Sequence, residues 1–392
     1  MKYFDYAATT PIDDEALKAY ETVSKITYGN TSSLHDIGSK AEHLLQVCRR
    51  ELAEQLGVPD AGIYFTSGGT ESNLLTIISL AQTNAHKGKH IITSMGEHAS
   101  VDAAMNFLEK NGFTITRIPF TTEGIVDLSM LKQALRKDTI LISIQHVNPE
   151  IGTIQPLEDI SSLIADRGIV LHSDCIQSFG KIDVKPITRI VDSITVSSHK
   201  LYGPKGVGAA YIDPSLLIKP VFPGFQHEKG FRGGTVNVPG ISGFITAASK
   251  MITNTSKQND YQQFRDVFMQ RIDKYRDHFT IYPLTHTNAQ LPQIIGLGIK
   301  GMEGQLTMLE CNRRGFAIST GSACQVGQQN PSKAMLAMDV CKDRAREFIR
   351  ISFGKETVLE DVIGLANMLI ELQQANDRSV HPVTKAVEYD TL

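Results

Sequence analysis

No apolar run in this 392-residue sequence approaches the roughly 18 residues needed to cross a bilayer. The opening residues, Met-Lys-Tyr-Phe-Asp-Tyr-Ala-Ala-Thr-Thr-Pro, put an acid and a proline where a secretory leader needs an apolar core, so a cytoplasmic location is expected. An excess of one charge is also missing. Lys and Arg number 39 against 42 Asp and Glu, interspersed to a formal net charge of −3, so neither a direct nucleic-acid partner nor an anionic membrane is expected. Cysteine is scarce and odd in number: Cys48, Cys175, Cys311, Cys324 and Cys341 contain no CxxC pair. That count argues against a disulfide framework or a zinc ribbon and predicts free thiols and no metal site. Internal repeats and low-complexity tracts are absent. So is a GxGxxG after the first strand, which weakens a nicotinamide-binding reading.

What is present reads as an ordinary globular chain, 41% hydrophobic and 21% charged, long enough for two domains. Between about residues 60 and 212, strand-like runs alternate with helix-period segments. The runs are Ile63-Tyr-Phe-Thr, His90-Ile-Ile-Thr, Phe113-Thr-Ile-Thr, Thr139-Ile-Leu-Ile-Ser-Ile, Ile169-Val-Leu-His and Ser193-Ile-Thr-Val. The pattern predicts βαβ units and an α/β fold with a mainly parallel sheet, helices on both faces. Near residue 255 the composition turns polar, "NTSKQNDYQQ", a candidate boundary. A long helix is expected through Leu365-Ala-Asn-Met-Leu-Ile, and the last dozen residues, "HPVTKAVEYDTL", read as a loose tail.

Ligands of open α/β sheets sit outside the carboxyl ends of the strands, so the residues placed there carry the functional reading. The first run leads into "SGGTESN", where Gly69 and Thr70 open a helix whose amide end suits a phosphate. Thr70 would otherwise serve as that helix's cap. Further ends carry "GEHAS" with His98, "QHVNPEIGTIQP" with Asn148, "SDCIQSFGK" with Asp174 and Gln177, and "SSHKLYGPKGVG" with Ser197, His199 and Lys200. Each alone has a structural explanation: a capping Asp174, a satisfied core His98, a surface Lys200. Five successive ends with polar groups fit pyridoxal phosphate together, since that cofactor needs a lysine, an acid for its pyridine nitrogen and donors for its phosphate.

The thiols sort by context. Cys48 falls on a helical stripe with Leu44, Val47, Leu52 and Leu56, while Cys311 and Cys341 follow apolar segments and read as packing. Cys324 lies in "STGSACQVGQQNPS", with little to bury its sulfur, as an attacking and handing-over thiol requires.

The chain resembles the NifS/IscS-like cysteine desulfurases of the class V aminotransferase group, fold-type I pyridoxal phosphate enzymes. The resemblance is carried by "DYAATTP" (5–11), "YGNTSSLHDIG" (28–38), "TSGGTESN" (66–73), "EHAS" (97–100), "HVNPEIGTIQP" (146–156), "HSDCIQSFGK" (172–181), "SSHKLYGPKGVG" (197–208), "FRGGTVN" (231–237), "STGSAC" (319–324) and "IRISFG" (349–354). It implies a large domain over 15–256 with a seven-stranded sheet, and a smaller α+β domain from 1–14 and 257–392 carrying the Cys324 loop. It further implies Lys200 as the Schiff-base lysine, Asp174 on the pyridine nitrogen, His98 stacked on the ring, and Gln177 and Asn148 near the phenolic oxygen. Gly69, Thr70, Ser197 and His199 would hold the phosphate, with Thr235 of "RGGT" reaching in from the second subunit of a homodimer. Arg350, with Asn148, would bind the carboxylate of L-cysteine. Cys324 would receive its sulfur as a persulfide, with His98 moving protons, for hand-over to an iron–sulfur scaffold, a thiolation relay or a dedicated client. Thr31, Pro149, Cys175 and Tyr6 depart from the usual residues of the family, and Cys175 sets a second thiol beside Asp174. A selenocysteine lyase, another enzyme of the same group, or a non-catalytic sulfur-relay scaffold are the alternative readings.

Overall fold

The alternating runs become the strands of one seven-stranded sheet. They are β2 (Ile63–Thr66), β3 (His90–Ser94), β4 (Thr114–Ile118), β5 (Thr139–Ser143), β6 (Val170–Asp174), β7 (Ser193–Ser197) and β8 (Gly208–Ile212), in the order β2-β8-β7-β6-β5-β3-β4. The computed structural model describes residues 1–253, 257–285, 290–321 and 331–380. Cys324, the tail "HPVTKAVEYDTL" and part of the polar boundary near 255 lie outside them. All neighbours pair in parallel except β8, which runs antiparallel to β7 and β2. The link from β7 to β8 holds no crossover helix, so the chain must return antiparallel. As a result β2, β3, β5, β6 and β7 all present their carboxyl ends on the same edge.

The strands are buried on both faces, and successive residues face opposite sides. Ile92, Ile142 and Leu171 enter one hydrophobic cluster, while Ile91, Leu141 and Val170 enter another across the sheet. Helices α3 (Gly69–Asn84), α4 (Ala99–Lys110), α5 (Leu128–Ala134), α6 (Leu157–Ile164) and the short α7 (Lys185–Thr188) connect the strands. Before them, α1 (Asp14–Ile26) and α2 (Asp36–Leu56) pack on α8 (Val238–Thr253). The buried stripe of α2 is Ala41, Leu45, Cys48, Leu52 and Leu56; Leu44 and Val47, expected on it, lie half-buried at its margin. Cys341 corrects a second expectation, since its side chain is exposed and not packed.

Past residue 257 a separate core forms. Strands β9 (Phe279–Tyr282), β10 (Ile294–Ile299) and β12 (Phe348–Ser352) make an antiparallel sheet ordered β12-β10-β9. Its apolar residues Ile295, Leu297, Ile349 and Ile351 pack with Phe268 of α9 (Lys257–Ile272) and Leu365 and Leu369 of α13 (Leu359–Val380). The shorter α10 (Gly304–Arg313) completes this part, whereas α11 (Lys333–Ala337) and α12 (Lys342–Arg346) bury Ala334, Met335, Ala337 and Ala345 in the cluster of the large sheet. The first residues of the chain join it: β1 (Lys2–Tyr3) pairs with β11 (Phe316–Ala317), and Phe4 is buried in the same cluster. No helix among the described residues is long and apolar enough to cross a membrane.

Buried histidines within the large sheet make its stability acid-sensitive. His172 is fully buried, with Nδ1 2.8 Å from Ser193 Oγ, and burial pushes its pKa down to about 3. The unfolded residue titrates near 6.5, so below that pH the unfolded chain binds the extra proton; the contribution is complete above about 6.5 and is lost as pH falls toward 3. Between pH 7 and 5.5 this one group should cost about 1 kcal/mol of stability. A His172→Asn variant, compared with wild type by urea unfolding at both pH values, should lose that much less. Equal pH slopes for the two proteins would contradict the burial argument.

Candidate active site

The start of α3 is built by glycine. Gly68 occupies the N-cap position at φ 149°, and no side chain caps the helix. Thr70 is therefore not the cap; it lies exposed in the first turn. The approach of Gly68 to the sheet depends on Gly208, where a Cβ would come 2.6 Å from the Gly68 carbonyl carbon. Gly69 is pressed against Ile176 and Ser197: a Cβ there would stand 2.2 Å from Ile176 Cδ1 and 3.4 Å from Ser197 Cβ. The first-turn amides of a helix have no partners within it. Beside them Ser197 Oγ is buried without a partner in the protein. An uncapped helix end, positive by its dipole, next to an orphaned hydroxyl is a cradle for a phosphate.

Asp174 ends β6 deep in the fold, 7% exposed. Its Oδ1 accepts the Ile176 amide at 2.9 Å and its Oδ2 accepts Asn73 Nδ2 at 2.7 Å. Asn73 also donates to Ser100 Oγ (2.9 Å) and accepts from Thr195 Oγ1 (2.5 Å), and Ser100 Oγ lies 2.8 Å from His98 Nδ1. One continuous network thus runs from Asp174 through Asn73 and Ser100 to His98. His98 caps α4 by accepting the Ser100 amide at Nδ1, so the neutral ring carries its proton on Nε2. The protein packed around it lowers its pKa, with Asp174 opposing and Lys200 reinforcing, so the ring is neutral near pH 7. The preceding Glu97 is buried and pushed up to about 8 by burial, so it stays neutral near pH 7 and adds no negative charge beside Asp174.

Lys200 closes the 3-10 turn Ser198–Lys200 after β7, and its Nζ donates to the carbonyl oxygens of Ala7 (2.5 Å) and Ala8 (2.8 Å). Gln177 Nε2 donates to the same Ala7 oxygen at 2.8 Å. His199 Nδ1 lies 3.1 Å from Thr9 Oγ1, and burial pulls its pKa down to about 4. Arg350, on β12 and 5% exposed, donates through Nη2 to Asp5 Oδ1 (2.7 Å) and through Nη1 to the Pro149 carbonyl (3.0 Å), while its Nε is buried without a partner. Asn148 is more committed than expected. Its Oδ1 accepts the amides of Glu150 and Ile151 at 2.9 and 3.0 Å, and its Nδ2 reaches the Gly96 carbonyl at 3.4 Å.

Two expected residues stand apart. Thr235 is exposed, three positions beyond Arg232, which pairs with Glu71 of α3 at 3.2 Å. Cys324 is outside the described residues, but both flanks of its segment are anchored at the site. Ser319 exchanges backbone hydrogen bonds with Arg350, and Ser332 Oγ bonds Glu150. Cys175 is fully buried and its thiol is pushed up to about 12, so it is a packing residue. Among the described residues, no group of three or more His, Cys, Asp or Glu could hold a metal. Sequence reasoning missed Asn73, Ser100, Thr195 and Asp5. The readable signal was polar residues inside an otherwise apolar helix, Asn73, Thr76 and Ser79, which signal a buried partner.

Residues 2–365 match the aminotransferase class-V family. A NifS protein of Bacillus subtilis (strain 168) is 46% identical over 92% of this chain and 92% of its own length. The cysteine desulfurase IscS of Dictyoglomus turgidum is 40% identical over 92% of this chain and 91% of its own. Among solved structures, a NifS-like protein superimposes with a TM-score of 0.87 at 30% identity, over 95% of this chain and 99% of its own. SspA in complex with cysteine gives 0.78 at 31%, over 91% and 100%.

The contact between Gly208 and Gly68 is open to test. Gly208→Ala should shift the α3 start, destabilise the fold by about 1–3 kcal/mol in urea unfolding, and weaken binding of phosphate-bearing ligands more than tenfold. Wild-type stability and phosphate affinity together would show that this close approach does not shape the cradle.

Proposed function

The chain belongs to the aminotransferase class-V family, and from that premise we propose that it is a pyridoxal phosphate-dependent cysteine desulfurase, converting L-cysteine to L-alanine with Cys324 taking up the sulfur as a persulfide. The observation that carries this reading is the placement of Lys200, Asp174 and the orphaned Ser197 hydroxyl at neighbouring strand ends beside the uncapped start of α3. These groups fit the cofactor. Gly69, Thr70, Ser197 and His199 would hold its phosphate, Asp174 its pyridine nitrogen, Gln177 and Asn148 its phenolic oxygen, and Lys200 would anchor it covalently. When bound, it supplies the electron sink that lets the substrate Cα proton leave.

The protein's own groups do the rest. Arg350, already oriented by Asp5 and Pro149 and with Nε unpartnered, receives the substrate carboxylate. Lys200 Nζ takes the Cα proton. The Cys324 thiolate attacks the substrate sulfur: the S–S bond forms, the Cβ–S bond breaks, and its electron pair stays on Cβ, which is protonated as alanine leaves. His98 manages the thiol protons; accepting one requires passing on its Nε2 proton or releasing the Ser100 cap at Nδ1. Cys324 lies five residues past Ser319, which is bonded to the Arg350 backbone, so the chain allows it a reach of at most about 18 Å from there. The reading also divides the chain into 15–256 and 1–14 with 257–392. In support, the second core draws, among the described residues, on Phe4 and residues from Tyr261 onward, while Tyr282, Ala334, Met335 and Phe348 from the later part of the chain pack in the first core. Thr235, exposed in its loop, completes the phosphate site of a partner subunit in a homodimer. The persulfide passes to an acceptor protein in the cytoplasm.

Four variants test this. Lys200→Ala should lose the visible absorption band that borohydride otherwise traps on this residue. Cys324→Ser should bind cofactor and L-cysteine normally, while sulfide release and alanine formation both fall at least 100-fold. Cys175→Ala should keep most activity; alanine production near the wild-type rate in Cys324→Ser would sink the persulfide route. Mixed Lys200→Ala and Thr235→Ala subunits should recover part of the activity through one intact site per heterodimer, whereas no recovery beyond the parents argues against shared sites.

A further inference from the structure

Behind Gln177 stands a lysine that the proposed chemistry does not use. Lys181 Nζ donates to Gln177 Oε1 at 2.6 Å, and Gln177 Nε2 donates to the Ala7 oxygen that also accepts Lys200. The side chain is half-buried, and its open surface faces a cavity shared with Lys200, Tyr202, Tyr261 and Gln293. Asp13, Lys250 and Lys355 line the adjoining space, where both lysines pair with Asp13. The other cations facing Lys181 are Lys200 and Arg350, the latter paired with Asp5. Burial and these two cations pull Lys181 down to about 7; charged or neutral, it keeps an N–H to donate.

An amide side chain can turn either end to a ligand, and only one end of Gln177 can donate. We propose that Lys181 is a positioning residue that holds the Gln177 oxygen, so that Gln177 offers an N–H to the phenolic oxygen of the cofactor. This rests on the reading of Gln177 given above. A bond accepted at Oε1 polarises the amide and strengthens the N–H as a donor. Of the two Nε2 hydrogens, one is held by Ala7 and the other is available to the ligand. A donor to the phenolic oxygen stabilises its anion, which lowers the pH at which the loaded Lys200 nitrogen gives up its proton.

The readout is the visible absorption band of the cofactor-loaded protein titrated against pH without substrate. Lys181→Met and Gln177→Ala should each raise the midpoint by about half a pH unit or more, roughly a threefold change in proton affinity. Lys181→Gln, which keeps a donor amide, should show a smaller rise, and adding Lys181→Met to Gln177→Ala should shift it no further. A shift in Gln177→Ala with a wild-type midpoint in Lys181→Met overturns the role of Lys181 while leaving that of Gln177 standing. A further shift in the double variant also overturns the proposal, because Lys181 would then act directly and not through Gln177. Wild-type midpoints in both single variants remove the Gln177 reading itself and the proposal with it. Thermal unfolding checks that each variant is folded. If Lys181→Met does not take up cofactor, Lys181→Gln decides alone, an unchanged midpoint counting against the proposal.

Discussion

Two backbone carbonyls, those of Ala7 and Ala8, hold the Lys200 side chain, and much of the site follows from that contact. A lysine with its strongly hydrated head in a protein interior needs acceptors in place of water. Here they come from a segment near the start of the chain, far from Lys200 in sequence. Residues 5–10 consequently run as a strap between the two cores. On one side, Asp5 pairs with Arg350 and the Ala7 amide donates to Ser352 Oγ of β12. On the other, the Thr10 amide and hydroxyl both donate to the His199 carbonyl, and the Tyr202 amide donates back to Thr10 Oγ1. The strap fixes Lys200 relative to Arg350, which under the proposed roles of these two residues would set the distance between the amine and a bound carboxylate. Proximity of this kind is worth more to catalysis than any single hydrogen bond in it.

The polar groups around Asp174 follow a second constraint. In a low-dielectric interior a satisfied network is rigid and an unsatisfied one is costly. Asp174, Asn73, Ser100, Thr195 and His98 satisfy one another. Ser197 Oγ and Arg350 Nε are buried without partners in the protein, and they lie where a phosphate and a carboxylate are expected. The site is thus organised before any ligand arrives, and its unmet donors mark where anionic groups belong.

Legibility in the sequence tracked locality. The large sheet was readable because each strand has its own apolar run, and the strand-end rule then pointed to Lys200, Asp174, Ser197 and His98. The antiparallel direction of β8 was not read, although the chain between β7 and β8 is too short for a crossover helix. Thr70 as a cap failed because Gly68, at a φ suited to glycine, takes that position. Cys341 was misjudged because an apolar stretch before a residue says nothing about the residue itself. Asp5 and the partner of Asn73 were hidden for another reason: a polar residue in an apolar helix signals that a buried partner exists, but Arg350 and Asp174 sit on other elements, and Lys181 stands behind Gln177, a residue already assigned. Periodicity reports which face a residue occupies and not what lies across from it.

The thiols show why the cysteine proposed to take up sulfur would belong on a separate segment. Burial pushes Cys48 up to about 11 and Cys175 and Cys311 to about 12, which makes each a poor nucleophile at neutral pH. At Cys175, adjacent in sequence to Asp174, burial is the main cause and the Asp174 carboxylate adds to the penalty for a thiolate. The strand ends that suit a cationic pyridine nitrogen therefore suit a thiolate badly: an aspartate that favours the one repels the other. A nucleophile that must ionise beside this site has to be brought by chain rooted elsewhere. The described flanks of the Cys324 segment are rooted on such chain, Ser319 tied to the Arg350 backbone and Ser332 to Glu150, and not at the end of β6 that carries Asp174.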